Sequence, residues 1–126
     1  MKPFLAAALI LGALFVAGAM NCRAVAAWSD TIGSDLTLSC QAAAQENWEE
    51  ADAALQRADQ VWQSHSAYLH VMVNHSEIDE AETLFAEAKE YAAQQDSGHY
   101  RVSAAQLRAQ LSHLSETQQL KLKNIL

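Results

Sequence analysis

The sequence predicts an all-α protein in which an N-terminal transmembrane helix continues into an antiparallel up-and-down helical bundle of about four helices. Two observations lead to this fold class. Proline occurs once, glycine only 4 times, and alanine, glutamine, glutamate and leucine dominate, which favours helix. Apolar residues also recur at spacings of three and four along most of the chain, which is the period of a helix with one buried face.

The first element is an uncharged apolar run, PFLAAALILGALFVAGAM, over residues 3–20. As a helix this run rises about 27 Å, close to the roughly 30 Å hydrocarbon layer of a bilayer. It is either an uncleaved signal anchor or a cleaved signal peptide, since AGA at 17–19 and AVA at 24–26 both resemble cleavage sites. We favour the anchor, because the run exceeds a usual signal h-region and a helical pattern continues past Arg23.

The predicted anchor covers residues 1–23, and a helical bundle domain covers residues 24–126. Lys2 and the free amino group indicate a cytoplasmic N-terminus, a single pass through the cell membrane and an extracytoplasmic domain. Arg23, on the far side of the run, weakens this orientation signal.

The two cysteines, Cys22 and Cys40, stand about 27 Å apart if one helix carries both. A disulfide between them would need a break in the helix near GSD at 33–35. Free thiols or a bond between chains are the alternatives.

Charge is uneven along the chain. Residues 30–96 contain fourteen Asp and Glu against only Arg57 and Lys89, whereas residues 97–126 carry four basic residues against Glu116. This distribution indicates a solvated acidic face that keeps the domain soluble. It also makes the protein a poor nucleic-acid binder, because phosphate contacts need Lys and Arg.

The apolar spacing places four helices in order. The first continues out of the apolar run and could bend at Gly33. The second begins with a capping box formed by Asn47 and Glu50. It carries an a/d heptad seam, which is typical of a bundled or coiled-coil helix. The seam residues are Trp48, Ala51, Leu55, Ala58, Trp62, His65, Leu69 and Met72.

The third and fourth helices are predicted on either side of QQDSG, with Gly98 as the stop of the third. Ser115 followed by Gln118 is a further capping signature, so ETQQLKLKNIL predicts a short final helix, with an extended tail as the alternative. Short turns between the helices predict antiparallel neighbours. A tetratricopeptide fold ranks second, because NWEEADAALQRADQVW resembles one helix of that repeat but no second copy follows.

Side chains of metal-ligand type gather in VMVNHSEIDEAE, residues 71–82, and just before it. The weak candidates by type are His70, His75, Glu77 and Asp79. On one helix, His70 and His75 would diverge by about 140°, so only a break in the chain could bring them together.

A helix corner explains the same stretch. Asn74 or Ser76 caps the third helix, and Glu77 and Asp79 complete a capping box and complement its positive end. No serine, cysteine or threonine is placed with a recognisable base, and the chain has no glycine-rich phosphate loop. We therefore predict that the protein is not an enzyme, with no catalytic residues, no metal and no cofactor.

Four segments in order carry a resemblance to a known family: the apolar run, NWEEADAALQRADQVW, NHSEID and the closing LKLKNIL. Through them the chain resembles domain of unknown function family 4363, a family of small single-pass membrane proteins of Gram-positive bacteria. The resemblance implies a membrane anchor and an extracytoplasmic helical domain, and it implies no activity. This chain departs from the pattern in its two cysteines and its alanine-rich first helix. The residues that carry the resemblance most specifically are Trp48, Trp62, His75, Glu77, Ile78, Asp79, Asn124, Ile125 and Leu126.

These patterns favour a membrane-anchored module that binds another protein or packs with its own copies. The alternative is a metal- or ligand-binding sensor domain centred on His75 and Glu77. Counting helices outward from the bilayer brings the C-terminal tail back to the side of the His75 corner. There Lys121 and Lys123 would meet anionic lipid, or the tail would cover the open end of the bundle.

Overall fold

The computed structural model describes residues 2–125, apart from the side chains of Met72, Leu122 and Ile125. Four helices follow one another: α1 (Lys2–Ala44), α2 (Trp48–Met72), α3 (His75–Ala93) and α4 (Ser97–Ile125). Helix α1 packs against α2 and α4, and α3 packs against the same two helices. This closed ring of neighbours, joined by short turns, confirms the predicted up-and-down bundle and differs from a solenoid of stacked repeats.

The core of the bundle lies on the apolar faces that the sequence spacing predicted. On α2, the seam positions Ala51, Leu55, Ala58, Trp62 and Leu69 are buried, and Trp48 and His65 are half-buried. The ring of Trp62 contacts Trp28 edge-on, with centroids 6.5 Å apart, and lies 5.8 Å from Phe85. Aromatic packing thus ties α1, α2 and α3 together at mid-height. The other large side chains with almost no exposed surface are Val25, Ile32, Leu36, Ile78, Tyr100, Leu107, Leu111 and Leu114.

Helix α1 runs without interruption from Lys2 to Ala44 and does not break at Gly33, where the sequence allows a bend. Residues 2–17 are exposed on every side, whereas one face is buried from Val25 onward. Because the helix does not break at 33–35, Cys22 and Cys40 remain on one helix as free thiols within the described chain.

The turn between α1 and α2 follows the predicted cap. Glu46 has a left-handed backbone conformation (φ 59°), and Asn47 is the N-cap of α2. The Asn47 side chain accepts a hydrogen bond from the Glu50 backbone N–H at 3.4 Å and donates one to the Glu50 carboxylate at 3.0 Å. The capping pair is therefore present, although the Glu50 carboxylate meets the Asn47 side chain and not its backbone N–H.

The predicted helix stop at Gly98 is wrong. Helix α3 ends at Ala93, and the left-handed residue of the turn is Gln95 (φ 55°). Gly98 instead lies in the first turn of α4, where its φ is not positive. The Asp96 side chain accepts a hydrogen bond from the His99 backbone N–H at 3.2 Å, so a carboxylate at the start of α4 marks this turn.

The predicted short final helix is also wrong. Helix α4 continues through Ser115 to Ile125, so the capping signature at Ser115 and Gln118 does not start a new element. Gln118 is almost fully buried, and its side-chain oxygen accepts a hydrogen bond from Asn21 Nδ2 at 3.4 Å. Packing against α1 therefore keeps α4 helical beyond the point where local rules predicted an end.

Candidate functional site at the α2–α3 corner

The corner between α2 and α3 is where the sequence places its ligand-type side chains. Helix α2 ends at Met72, Val73 has an extended backbone, and Asn74 is the N-cap of α3. Asn74 Oδ1 accepts hydrogen bonds from the Ser76 backbone N–H at 3.1 Å and from Ser76 Oγ at 3.2 Å. Of the two predicted caps, Asn74 is therefore the one used.

The chain break at this corner brings His70 and His75 together. Their Nδ1 atoms are 3.4 Å apart and their ring centroids 5.4 Å apart. On the other side of the His70 ring, Nε2 lies 4.0 Å from Glu82 Oε1. Both histidines are exposed, so the pair faces solvent.

The structure places Glu77 differently from the prediction. Its carboxylate does not complete a capping box: Oε2 accepts a hydrogen bond from Gln110 Nε2 at 2.8 Å, and Oε1 lies 3.4 Å from His113 Nε2. Gln110 also donates to the Glu77 backbone carbonyl at 3.1 Å. Glu77 thus joins α3 to α4, while Asp79 is exposed.

The four candidate ligands therefore do not converge on one point. Within residues 2–125, no group of three or more His, Cys, Asp and Glu side chains is arranged to hold a metal ion. What the corner offers chemically is a solvent-facing pair of imidazole nitrogens and, one turn away, a carboxylate occupied by Gln110 and His113. Gln110 and His113 were missed by sequence reasoning, because neither belongs to a recognisable spacing.

Of the other residues that carry the family resemblance, Ile78 is fully buried beneath this corner and Trp62 is fully buried in the core. Trp48 is half-buried and meets Tyr100 edge-on, with centroids 5.9 Å apart. Asn124 is exposed near the end of α4. The Ile125 side chain and Leu126 lie outside the described part of the chain.

The opposite end of the bundle holds a buried polar chain. The Tyr100 hydroxyl donates to Ser39 Oγ, which donates to the Ala51 carbonyl at 2.6 Å. Burial raises the pKa of Tyr100 to about 12, against the opposing effect of the Ser39 hydrogen bond. Burial also raises the pKa of the nearby Cys40 thiol, although Arg108 and Arg101 act in the other direction. The thiol is therefore not activated as a nucleophile.

The apolar start of α1 is the remaining feature that could carry function. It is long and apolar enough to cross a membrane, and none of its most apolar 18-residue stretch is buried in the bundle. Exposed side chains along it include Phe4, Leu9, Leu11, Leu14 and Met20.

Fold and site together define a small helical-bundle protein with one helix that can act as a membrane span. Residues 20–125 match the family model described as Domain of unknown function (DUF4363), and the chain belongs to that family. No curated protein and no solved structure matches the chain. The matched range begins where α1 starts to enter the bundle, at the end of the apolar run.

Proposed function

We propose that this protein is a non-enzymatic module that a single pass of α1 anchors to the cell membrane, and that its extracytoplasmic bundle acts by binding another protein or its own copies. The observation that carries the proposal is the continuity of α1. One helix has an exposed apolar surface up to residue 17 and lines the bundle core from Val25 onward. Such a helix holds a folded domain at a fixed height above the bilayer.

The charge of the outer surface supports contact with a protein and not with nucleic acid. Of the two basic residues within 30–96, Arg57 Nε lies 3.5 Å from Asp35 Oδ1 and Lys89 Nζ lies 2.8 Å from Asp59 Oδ2. The acidic side chains of α2 and α3 outnumber these pairs, and most of them are exposed. A partner that meets this surface would present Lys and Arg.

Cross-linking in native membranes followed by mass spectrometry tests the proposal. We expect a lysine-reactive or carboxyl-reactive reagent to trap the protein with a partner or with a second copy, through residues of α2 and α3. Extraction at alkaline pH is the accompanying test of anchoring, and the protein should remain with the membrane pellet. Recovery of an uncross-linked monomer alone would contradict the interaction role, and release by alkali would contradict the anchor.

A charge-reversal variant sharpens the same experiment. Replacing Glu80 and Glu87, which are exposed on α3, by Lys should abolish a cross-link that depends on the acidic surface. As a control, Gln106 and Gln119 on α4, also exposed, are replaced by Lys, which adds half as much positive charge on another helix and should leave the cross-link intact. Equal cross-linking in both variants would mean that the acidic face does not contact the partner.

One observation favours a second candidate function, a sensor that binds a divalent transition-metal ion. Two nitrogens bound to one tetrahedral Zn²⁺ at about 2.0–2.1 Å lie roughly 3.3–3.4 Å apart, and the two Nδ1 atoms of His70 and His75 are separated by 3.4 Å. The same contact is also that of a hydrogen bond between two neutral rings. Titration with Zn²⁺, followed by calorimetry, separates these two explanations. Stoichiometric binding that His70→Ala abolishes, and that His99→Ala does not, would establish the metal site, and absence of bound zinc in metal analysis after equilibrium dialysis would exclude it.

A further inference from the structure

The antiparallel contacts of α1 fix which parts of the bundle lie nearest to its apolar segment. Along α4, Tyr100 contacts Ser39, the Leu111 carbonyl accepts from Ser29, and the Gln118 carbonyl accepts from Cys22 Sγ at 3.5 Å. The C-terminal end of α4 is therefore the end that lies nearest to the apolar segment of α1. Beyond Gln118 the helix continues to Ile125, which adds about 10 Å.

Helix α2 approaches the same end. Ser39 contacts Ala51 near the start of α2, whereas Trp28 stacks on His65 with ring centroids 5.1 Å apart. The last turns of α2 therefore lie beside the start of the bundle-facing part of α1.

Large apolar side chains are exposed at this end. Val71 is 82% exposed, Leu120 58% and Tyr68 42%. Tyr68 and Val71 are three positions apart on α2, so they share one face of the helix. Elsewhere in the bundle, among the described side chains, Leu38 and Val102 are exposed to a similar degree as Leu120. The end next to the membrane segment differs in that Tyr68 and Val71 share one face there, and a tyrosine is common at the headgroup level.

Basic residues concentrate at the same end. Arg23 on α1 and Lys121 and Lys123 on α4 are all exposed. The nearest acidic residue on α4 is Glu116, more than one turn farther from the apolar segment. Acidic residues are also present at this end, because α3 begins there and carries the exposed Asp79 and Glu80, so the positive charge is confined to α1 and α4. Positive charge beside an apolar surface complements a bilayer that contains anionic lipid.

We infer that the six residues Arg23, Tyr68, Val71, Leu120, Lys121 and Lys123 form a lipid-facing collar, with which the bundle rests on the headgroups of anionic phospholipid. The inference rests on the proposed function, because α1 must first anchor the chain. Tyr68, Val71 and Leu120 enter the interfacial layer, and the three basic side chains bind lipid phosphates. The collar adds a second contact with the bilayer and thereby fixes the angle between the bundle and the membrane.

Fluorescence quenching by labelled lipid tests the collar in the full-length chain. The protein, with Cys22→Ser and Cys40→Ala, is reconstituted in vesicles with a bimane probe on one introduced cysteine: Leu11→Cys for the anchor, Leu120→Cys for the collar, or Val102→Cys for the remote surface. The quencher is a nitroxide near the headgroup of either phosphatidylglycerol or phosphatidylcholine for positions 120 and 102, and a nitroxide on the acyl chain for position 11, which lies near the middle of the span. We expect quenching at positions 11 and 120 but not at 102. At position 120 we expect phosphatidylglycerol to quench at least fivefold more effectively, since each basic residue near an anionic surface favours binding about fivefold.

Charge reversal provides the matched comparison. Lys121→Glu with Lys123→Glu should remove the preference for phosphatidylglycerol at position 120. Arg101→Glu with Arg108→Glu changes the net charge equally on the same helix and should retain it, because these arginines lie about 20 Å or more from Lys121 along the helix, beyond the Debye length of about 8–10 Å.

The outcomes separate the two proposals. Absence of quenching at position 11 would contradict the membrane anchor itself. Quenching at position 11 without quenching at position 120 would overturn the collar, because the probe at 120 would then not contact lipid. Equal quenching by the two lipids at 120 would overturn the assignment to anionic phospholipid.

Discussion

The two ends of the bundle are built differently. At the distal end, where α1 meets α2 and α3 meets α4, the Tyr100 and Ser39 hydroxyls are buried and hydrogen-bonded, and Asn47 and Asp96 cap the following helices. At the proximal end, beside the apolar segment, Asn21 Oδ1 and Gln118 Nε2 are buried without a hydrogen-bond partner among the described residues. The exposed Tyr68, Val71 and Leu120 lie at this proximal end as well.

This difference indicates that the distal end needs only solvent around it. A distal end with satisfied polar groups and capped helices is stable in solvent without further contacts. A proximal end with exposed apolar side chains fits the bilayer contact that we propose for the collar. Substitutions in the buried core should therefore lower stability more than substitutions on the exposed proximal surface.

The largest expected effect comes from the core of α4. Leu107→Ala should lower the free energy of unfolding by about 3 kcal/mol, because Leu107 is fully buried and its removal leaves a cavity. Leu120→Ala, on the same helix but 58% exposed, should change it by less than about 0.5 kcal/mol. Urea unfolding in mild detergent, followed by circular dichroism, measures both. Similar losses in the two variants would show that Leu120 is packed within the bundle.

Alkaline pH should destabilise the distal end through Tyr100. The unfolded chain ionises this tyrosine near its ordinary pKa of about 10, whereas the folded protein holds the proton until about pH 12. Between these values the unfolded state binds fewer protons, so stability falls with rising pH, by about 3 kcal/mol in total.

Tyr100→Phe is the control for this pH effect. The variant should lose the additional fall between pH 10 and 12, while it loses the hydrogen bond to Ser39 at neutral pH. Tyr68→Phe, at an exposed position, should keep the fall. An unchanged pH profile in Tyr100→Phe would mean that another group causes the loss.

The helix N-caps at the two ends should contribute smaller and similar amounts to the free energy of unfolding. Asn47→Ala and Asn74→Ala should each cost about 1 kcal/mol, since each side chain accepts a backbone N–H at the start of a helix. Gln56→Ala, exposed in the middle of α2, serves as the comparison and should be almost neutral. Thermal unfolding measures the three variants, and equal midpoint temperatures for all three would contradict the assigned N-caps.

The smallest effect concerns the distal turn after α3. Gln95→Gly should stabilise the protein by up to about 1 kcal/mol, because Gln95 has φ 55°, where glycine is favoured. Gln94→Gly, at a neighbouring residue with a right-handed backbone (φ −79°), should destabilise slightly. Opposite signs in urea unfolding would confirm the left-handed position, and equal signs would contradict it.

Much of the fold could be predicted from sequence because the relevant signals are local and repeated. The seam from Ala51 to Leu69 identified the buried face of α2, and Asn47 identified its start. The ends of α3 and α4 could not be predicted in the same way. Gly98 and Ser115 carry local stop and start signals, but α4 continues past both to Ile125. In this part of α4, Gln118 contacts Asn21 on α1, 97 positions away in the sequence, and local rules do not detect such a contact.

The corner shows the same limit for the candidate site. Local rules predicted a cap at Asn74 or Ser76, of which Asn74 is the one used, and the need for a chain break between His70 and His75. They assigned Glu77 to its own helix end, whereas its carboxylate meets Gln110 and His113 on α4. Which side chains a third helix brings to a corner depends on tertiary packing, and a single sequence contains no direct signal for it.

The apolar segment and the bundle-lining part of α1 form one continuous helix. Spin labels at Leu9→Cys and Thr31→Cys, both exposed on α1, test it by pulsed electron–electron distance measurement in lipid nanodiscs, with Cys22→Ser and Cys40→Ala. An unbroken helix between positions 22 residues apart predicts a single narrow distribution near about 33 Å. A broad distribution, or a peak at a markedly shorter distance, would contradict the account.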